Sequence, residues 1–169
     1  NLEAEDSSIS APKGTLQLRN SHFLQSAASA QTGSFVSVGP NATESFIAGN
    51  IFQDSGLEAR HSGAGLPPIN LINNVFFTTA LSNSWAGISY MNYTYGSSDA
   101  FVVKHNSFLA PSIYWHQPNY PQPIDLSDNF WGTTDTLVID SKIRDRNDDL
   151  NIPIFVTYLP ILTAAHPDT

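Results

Sequence analysis

The amino-acid sequence predicts an all-β solenoid in which short strands stack as about five to six coils. An eight-residue motif, clearest at 69–76, has apolar residues at places one and three, Asn at place six and an aromatic residue at place eight. It occurs five times, at 16–23, 45–52, 69–76, 101–108 and 124–131. Successive copies are about 23 to 32 residues apart, a spacing typical of stacked coils. Only 13% of the residues are charged, which favours such a fold over a helical bundle.

Each copy of the motif predicts a short strand followed by a bend. Places one and three alternate with more polar residues at places two and four, as in a strand with one buried face. Asn at place six is expected to adopt the left-handed backbone of the bend, because Asn tolerates positive φ. These residues are also expected to hydrogen-bond from coil to coil as a ladder: Asn50, Asn74, Asn106 and Asn129, with Ser21 in the first copy. The place-eight residues are expected to form an internal aromatic stack: Phe23, Phe52, Phe76, Phe108 and Trp131.

The overall composition excludes several classes of protein. A chain of 169 residues with 41% hydrophobic content has room for one domain with its own core. It contains no run of apolar residues of about 18 or more, so no membrane insertion is predicted. A net charge of −8 makes nucleic acid an unsuitable partner, because binding it needs clustered Lys and Arg. There is no cysteine, so neither disulfides nor thiolate metal sites are expected, and no cofactor is predicted.

The first residue and two glycosylation sequons are compatible with the predicted extracellular or cell-surface location. The sequence opens with Asn1 rather than Met, as expected for a mature secreted form or for a piece of a longer chain. The sequons begin at Asn41 and Asn92, in the longer segments between motif copies, where glycans could face solvent. Such sequons also arise by chance, so they permit glycosylation rather than establish it.

Three parts are predicted along the chain: an arm at 1–14, the coils at 15–132 and a cap at 133–169. The arm is acidic and rich in Ser, and is interpreted as mobile or as an extended strand that needs a partner. The first coil would leave a row of unpaired backbone groups, which proteins normally cover. A preceding domain or another copy of the chain is therefore expected at this end.

The cap is predicted to contain a short helix and a last strand. Asp135 is a suitable N-cap for a helix that continues to Arg146. The apolar residues of this helix are Leu137, Val138 and Ile143. Residues 154–159 are rich in β-branched and aromatic side chains and predict the strand.

The end of the sequence resembles that of a known superfamily. It is carried by Asn129-Phe130-Trp131-Gly132, then Ile143, Asp145, Asp148-Asp149, Val156, Tyr158 and Pro160. This run is similar to the ending of many secreted bacterial and archaeal β-helix proteins. Together with the repeated motif it resembles the right-handed parallel β-helix, or pectin-lyase-like, superfamily over about residues 15–162. The resemblance implies the fold more than an activity, because that superfamily includes lyases, polygalacturonases, adhesins and modules with no known chemistry.

A leucine-rich repeat is the alternative fold, because its pattern of apolar and Asn positions also fits the motif. The segments between the copies decide between the two folds. They vary in length, carry Pro, Gly and clustered Tyr, and lack the regular Leu spacing that a convex helical side needs. These features favour the β-helix.

One group of outward residues is the best candidate for acid and base chemistry. In the place-five column His105 and Asp128 are neighbours on adjacent coils, with Lys104 and Asp125 beside them. A structural contact between coils explains the same residues without any chemistry. The sequence lacks the polygalacturonase signatures Asn-Thr-Asp, Gly-His-Gly and Arg-Ile-Lys and the pectate-lyase signature Arg-x-Pro-x-x-Arg. No catalytic residue of those families can therefore be carried over.

Four residues alternate like the ligands of a calcium loop: Asp145, Asn147, Asp149 and Asn151. Leu150 stands where that loop needs Gly, and Val156 stands where it needs Glu. The sequence therefore predicts a solvated turn here and no metal site.

A dense group of aromatic residues lies between the third and fifth copies of the motif. Flat apolar rings with polar edges suit carbohydrate, so these side chains could form a platform for sugars. Packing of the linking segments onto the sheets is the alternative. The group consists of Trp85, Tyr90, Tyr93, Tyr95, Tyr114, Trp115 and Tyr120.

The sequence favours a non-catalytic extracellular β-helix that acts as a structural or adhesive module. The arm and the first coil suggest end-to-end assembly into filaments. A carbohydrate-active enzyme is the first alternative, either a polysaccharide lyase or glycoside hydrolase or the C-terminal fragment of one, with His105, Asp128, Lys104 and Asp125 as its site. A carbohydrate-binding module that uses the aromatic group is the second.

Overall fold

The structure is a computed structural model that describes residues 3–5, 8–14, 16–24, 35–42, 45–61, 68–79, 87–92, 101–109, 113–114 and 123–169. Strands that pair in parallel make up most of this part of the chain, with little helix. The all-β class predicted from the sequence is therefore confirmed. No helix within these ranges is long and apolar enough to cross a membrane.

Within the described residues, thirteen strands form three parallel sheets, named here A, B and C. Sheet A contains β1 (Glu3–Glu5), β4 (His22–Leu24), β7 (Ile51–Gln53), β10 (Val75–Phe77) and β13 (Ser107–Phe108). Sheet B contains β2 (Ser8–Gly14), β5 (Phe35–Ala42), β8 (Gly56–His61) and β11 (Gly87–Asn92). Sheet C contains β3 (Gln17–Arg19), β6 (Ser45–Ala48), β9 (Ile69–Ile72) and β12 (Phe101–Lys104).

The chain visits the three sheets in a fixed order. Up to β13, a strand of sheet A is followed by one of sheet B and then one of sheet C, and strands three positions apart pair with each other. Equal places of the motif pair in register: Phe23 with Phe52, Phe52 with Phe76, and Leu18 with Ile47. Each of the first four motif copies contributes one strand to sheet C and the next to sheet A, so it spans the corner between these sheets.

The residue that makes this corner is at place five, and the prediction that place six makes it was wrong. Positive φ angles occur at Asn20 (50°), Gly49 (66°), Asn73 (57°), His105 (60°) and Asp128 (58°). Gly, Asn, Asp and His are the residues that best tolerate this conformation. The Asn residues at place six follow the bend and are buried, where their side-chain amides hydrogen-bond to one another. At Gly49 a Cβ atom would lie only 2.6 Å from Asn20 Oδ1, which favours glycine there.

The core is a column of side chains from places three and eight of the motif. The place-eight rings are fully buried: Phe23, Phe52, Phe76, Phe108 and Trp131. Their successive centroids are 5.0, 4.8, 5.3 and 4.9 Å apart, so the predicted aromatic stack is formed. Four buried place-three residues pair in register with one another: Leu18, Ile47, Leu71 and Val103. Leu126, at place three of the fifth copy, is buried in the same core.

The N-terminal arm forms two strands that pair with later strands of the same chain. β1 pairs with β4, and β2 pairs with β5, with one irregularity between Ala11 and Lys13. Ala4 is in register with Phe23, so β1 continues the column of place-eight positions. Nothing in the sequence indicated this pairing, for two reasons. The arm is acidic, and its partner strands lie almost 20 residues or more further along the chain. One open edge of the fold therefore lies at β1, β2 and β3, which each pair on one side only within the described residues.

The predicted cap helix is shorter than expected and uses a different buried residue. Helix α1 spans Thr136–Lys142, and the Asp135 carboxylate accepts a hydrogen bond from the Leu137 N–H at 3.0 Å, as an N-cap. Leu137 and Val138 are 77% and 43% exposed, whereas Ile139 is fully buried. A helix of about two turns that rests on a flat surface can direct only one face inward, so neighbouring positions remain in solvent.

The rest of the cap contains two short strands that pair with earlier parts of the chain. β16 (Ile143–Arg144) pairs with β14 (Ile113–Tyr114), and β17 (Val156–Thr157) pairs with β15 (Ile124–Asp125) of the fifth motif copy. The last strand is therefore shorter than the predicted 154–159. Its backbone contacts continue nevertheless, because Asp128 N donates to Pro160 O at 2.7 Å and Leu162 N donates to Asn129 O at 3.0 Å. Residues 155–162 thus run along the outer side of the fifth copy.

Candidate functional site

The predicted asparagine ladder is present at place six and is fully hydrogen-bonded. The side chains of Asn50, Asn74, Asn106 and Asn129 are completely buried. Asn74 Oδ1 accepts from both the backbone N and the Nδ2 of Asn50, each at 3.0 Å. Asn74 Nδ2 in turn donates to Asn106 Oδ1 at 3.0 Å and to Ile47 O at 2.8 Å. The same pattern links Asn106 to Asn129.

This arrangement assigns the ladder a structural role. Each amide satisfies buried backbone groups of the neighbouring copy as well as the next amide, so little hydrogen-bonding capacity is left for a ligand. In the first copy Ser21 replaces Asn, and its hydroxyl donates to Arg19 O at 3.0 Å. Ser21 N still donates to Asn50 Oδ1 at 3.0 Å, so the backbone half of the ladder reaches the first copy.

Three of the four candidate acid and base residues meet in one outward cluster. Lys104 Nζ lies 2.9 Å from Asp125 Oδ2 and 3.3 Å from Asp128 Oδ2, and it also donates to the Ser127 hydroxyl. Partial burial raises the pKa of the Asp125 carboxyl, but hydrogen bonds from Lys104 and Ser127 outweigh it, and the net pKa lies below the ordinary value. Asp125 is therefore ionised at neutral pH, whereas a carboxyl that acts as a general acid needs a raised pKa.

The fourth candidate, His105, faces a different group. Its ring stacks on the ring of His166, with centroids 4.5 Å apart and planes 9° from parallel. The contact with Asp128 is through the backbone, where His105 N donates to Asp128 O at 2.8 Å. The described hydrogen bonds include none between the His105 imidazole and the Asp128 carboxylate. The cluster predicted from the column is thus present in space, but the acid and base pair at its centre is not formed.

Replacing Lys104 by Met is expected to raise the pKa of Asp125, because the principal hydrogen bond that lowers it is lost. A depressed pKa stabilises the fold above the pKa of the unfolded chain, and that contribution disappears as the pH falls through the folded pKa. Asp125 is 59% exposed, so the loss of stability at neutral pH should stay below about 1 kcal/mol. Carboxyl-carbon NMR titration of both proteins measures the shift, with Asp125→Asn as the assignment control. An unchanged midpoint contradicts this account.

The proposed sugar platform lies mostly outside the described residues. Trp85, Tyr93, Tyr95, Trp115 and Tyr120 are among the residues that the structure does not describe. Tyr90 is in β11 and Tyr114 is in β14, and these two strands are neighbours. Of the sequon residues, Asn41 lies within β5 and Asn92 ends β11.

The calcium-like pattern forms a turn that uses its own carboxylates. Asp145 is buried, and its carboxylate accepts from Asn147 N at 2.7 Å and from Val156 N at 2.8 Å. Asp149 accepts from Asn151 N at 3.0 Å. In the part of the chain that the structure describes, no three His, Asp or Glu side chains converge as metal ligands.

A cleft of about 360 Å³ opens beside this turn, lined by Asp140, Ile143, Asp145, Asn147, Asp148, Val156 and Tyr158. Desolvation, followed by a hydrogen bond with Asp140, raises the pKa of the Tyr158 hydroxyl from 10.0 to about 12. Tyr158 also contacts Trp131 edge-on, with centroids 6.1 Å apart. It therefore joins the aromatic column to the cap.

The absorbance of Tyr158 at alkaline pH is expected to titrate with a midpoint of about 12, well above the ordinary tyrosine value of 10.0. Because the folded protein keeps this proton longer than the unfolded chain does, the linked stability is lost as the pH rises from 10.0 towards 12. The difference between the titrations of the native protein and Tyr158→Phe isolates the residue. Asp140→Asn should lower the midpoint only in part, since desolvation is the larger cause. A difference titration centred near 10 rules this out.

Sequence reasoning missed Lys142, whose amine binds the backbone at the end of the run Asn129-Phe130-Trp131-Gly132. Lys142 Nζ donates to Trp131 O at 2.6 Å and to Phe108 O at 3.3 Å, so it binds the backbone where the aromatic stack ends. Burial lowers the pKa of the Lys142 amine. Gly132 has a φ of 74°, and a Cβ atom there would lie 3.3 Å from Leu109 Cδ2. The apolar helix pattern gave no signal for a lysine that bonds across the cap.

Comparisons with protein-family models, with curated proteins and with solved structures found no match to this chain. The proposals below therefore depend on the geometry and on the sequence pattern.

Proposed function

We propose that this chain is a right-handed parallel β-helix that serves as a structural or adhesive module at the cell exterior and not as an enzyme. The observation that carries this proposal is the buried amide ladder, which links Asn50, Asn74, Asn106 and Asn129 without a break. The fixed order of the three sheets supports the β-helix, because a coil that returns after every third strand stacks equal places of a motif.

The outward cluster supports a structural role rather than catalysis. Lys104 is bound to two carboxylates on the neighbouring motif copy, and Asp125 has a lowered pKa. A glycosidase or lyase needs one group that gives up a proton and another that accepts it near neutral pH. An ion-paired Lys and an ionised Asp are suited instead to joining one copy of the motif to the next.

The open edge of β1, β2 and β3 is the surface that we propose for assembly. Backbone groups at such an edge bind further strands. At the opposite end, residues 155–162 already hydrogen-bond along the fifth copy and cover its backbone. Contact between two open edges joins like ends and gives a closed dimer, whereas a filament needs a complementary surface at each end. We therefore propose a dimer of two copies of the chain through this edge, in place of the filament expected from the sequence.

The test of this surface is a proline substitution at β3. Leu16 O and Asn20 N both bond to β6, so the N–H groups of Gln17 and Arg19 between them point to the open side. Gln17→Pro removes one outward donor without removing a donor to β6. Light scattering on a sizing column should give twice the chain mass of 18.4 kDa for the native protein and one chain mass for Gln17→Pro.

Gln17→Ala is the matched control, because it shortens the side chain but keeps the N–H, and it should remain dimeric. A native monomer at every concentration, or a dimer that survives Gln17→Pro, overturns the assembly surface. The non-catalytic assignment has its own test in a polysaccharide panel assayed for cleavage. Turnover that is lost on both His105→Ala and Asp128→Ala would assign the cluster to an enzyme instead.

A further inference from the structure

The last ten residues of the sequence, 160–169, form a segment that folds back over the fourth and fifth motif copies, here called the C-terminal strap. It is held by two backbone hydrogen bonds, Asp128 N to Pro160 O at 2.7 Å and Leu162 N to Asn129 O at 3.0 Å, and by Ile161, which packs against the core. At its far end the hydroxyls of Ser107 and Thr169 are 3.3 Å apart. Between these contacts the strap has one ring contact with the sheets, the stack of His166 on His105.

The geometry of this stack fits two neutral imidazoles. The rings are nearly parallel at 4.5 Å, so two positive charges there would face each other at close range. Asp168 N donates to His166 Nδ1 at 3.3 Å, which uses that nitrogen as an acceptor. A proton on Nδ1 removes this acceptor, so protonation both charges the stack and breaks a hydrogen bond within the strap.

The carboxylates around the stack do little to favour protonation of its two rings. Asp168 Oδ2 lies 3.8 Å from His166 Nδ1 and favours a protonated ring, but the Asp168 side chain is 71% exposed, so solvent screens this attraction. On the sheet side, Asp125 and Asp128 are already bound to Lys104, which precedes His105 along the chain. These two carboxylates therefore offer little net negative charge to a second cation.

We propose that the C-terminal strap is a pH-sensitive latch, held closed by the neutral His105–His166 stack and released when these rings gain protons. Histidine is the side chain that changes charge between about pH 5 and pH 8, so release follows mild acidification. The strap contacts the Ser107 hydroxyl through Thr169 and the backbone of Asp128 and Asn129. Mild acid therefore uncovers these groups of the fourth and fifth copies at the capped end of the fold.

The experiment is hydrogen exchange of single amides at about pH 8 and about pH 5, each corrected for the intrinsic rate. The Leu162 and Asp128 amides report the strap, and the Val75 amide, which donates to Asn50 O, is the internal reference. Protection of the two strap amides should fall at least about ten-fold at the lower pH, equivalent to about 1.4 kcal/mol, while the reference stays constant.

Three variants separate this latch from general acid loosening. His166→Phe keeps an aromatic ring on His105 but cannot gain a proton, so its strap amides should stay protected at the lower pH. His22→Phe changes a histidine of β4 outside the strap and should keep the native acid response. Asp168→Asn removes the compensating carboxylate and should enlarge the fall. Protection that stays level or rises on acidification in the native protein, or that falls equally in His166→Phe, overturns the latch.

Discussion

Replacing Asn106 by alanine is expected to destabilise the fold by about 2–6 kcal/mol, because it leaves two buried groups without partners at about 1–3 kcal/mol each. The first is the backbone N–H of Asn74, which donates to Asn106 Oδ1 at 2.9 Å. The second is one side-chain N–H of Asn74, which donates to Asn106 Oδ1 at 3.0 Å, while the other N–H of that amide donates to Ile47 O. Urea denaturation followed by circular dichroism measures the difference in the free energy of unfolding.

Asn70→Ala is the matched control within the third motif copy. Asn70 is at place two, its side chain is half-buried, and its amide donates at only 3.3 and 3.4 Å to Ser45 O and Pro68 O. Hydrogen bonds at such distances stabilise little, so this variant should lose less than about 1 kcal/mol. Equal losses from Asn70→Ala and Asn106→Ala would mean that the ladder does not stabilise the fold more than a surface amide does.

The motif itself was predictable because its information is local. Alternation at places one to four reports which face of a strand is buried, and an aromatic residue at a fixed place reports the core. Both signals depend on neighbours within eight residues. The position of the bend was not predictable from the same pattern, since Asn occurs at place five as well as place six. Only the ladder, in which Asn74 bonds to Asn50 and Asn106, shows that place six must turn inward.

The contacts that sequence reasoning missed all join distant parts of the chain. β1 pairs with β4, and the acidic Glu3 and Glu5 gave no apolar signal for a strand. Lys142 bonds to Phe108 O across 34 residues, and a helix pattern predicts only which face of α1 is apolar. His166 lies beyond the predicted last strand, so nothing local connected it with His105. Equal places of the motif predicted that the candidate acid and base residues lie close together. They did not predict which of these residues form ion pairs, because that depends on the direction of each side chain.

The ladder and the aromatic stack together explain why the fold tolerates variable segments between the motif copies. Both columns run through equal places of successive copies, so each copy is fixed at the corner between sheets C and A. The chain between β4 and β6 can then differ in length from that between β7 and β9 without changing the register of the corner. Stability that is concentrated at one corner also predicts that single substitutions there have large effects.

Replacing Phe52 by alanine is expected to cost about 3–5 kcal/mol, the range for a fully buried Phe, because the ring lies in the middle of the stack. Its centroid is 5.0 Å from that of Phe23 and 4.8 Å from that of Phe76, with planes 11° and 6° from parallel. Truncation leaves a cavity between two rings that the paired strands β4, β7 and β10 hold apart, so collapse is limited. Urea denaturation again gives the free energy of unfolding.

Two further variants separate ring stacking from burial. Phe52→Leu retains most of the apolar volume but loses both stacked contacts, which are worth about 0.5–1.5 kcal/mol for each pair, so it should fall between the native protein and Phe52→Ala. Phe155→Ala removes a ring that is 45% exposed and lies over Arg146, and it should cost less than about 1.5 kcal/mol. If Phe52→Ala were no more harmful than Phe155→Ala, the aromatic column would not be the core of this protein.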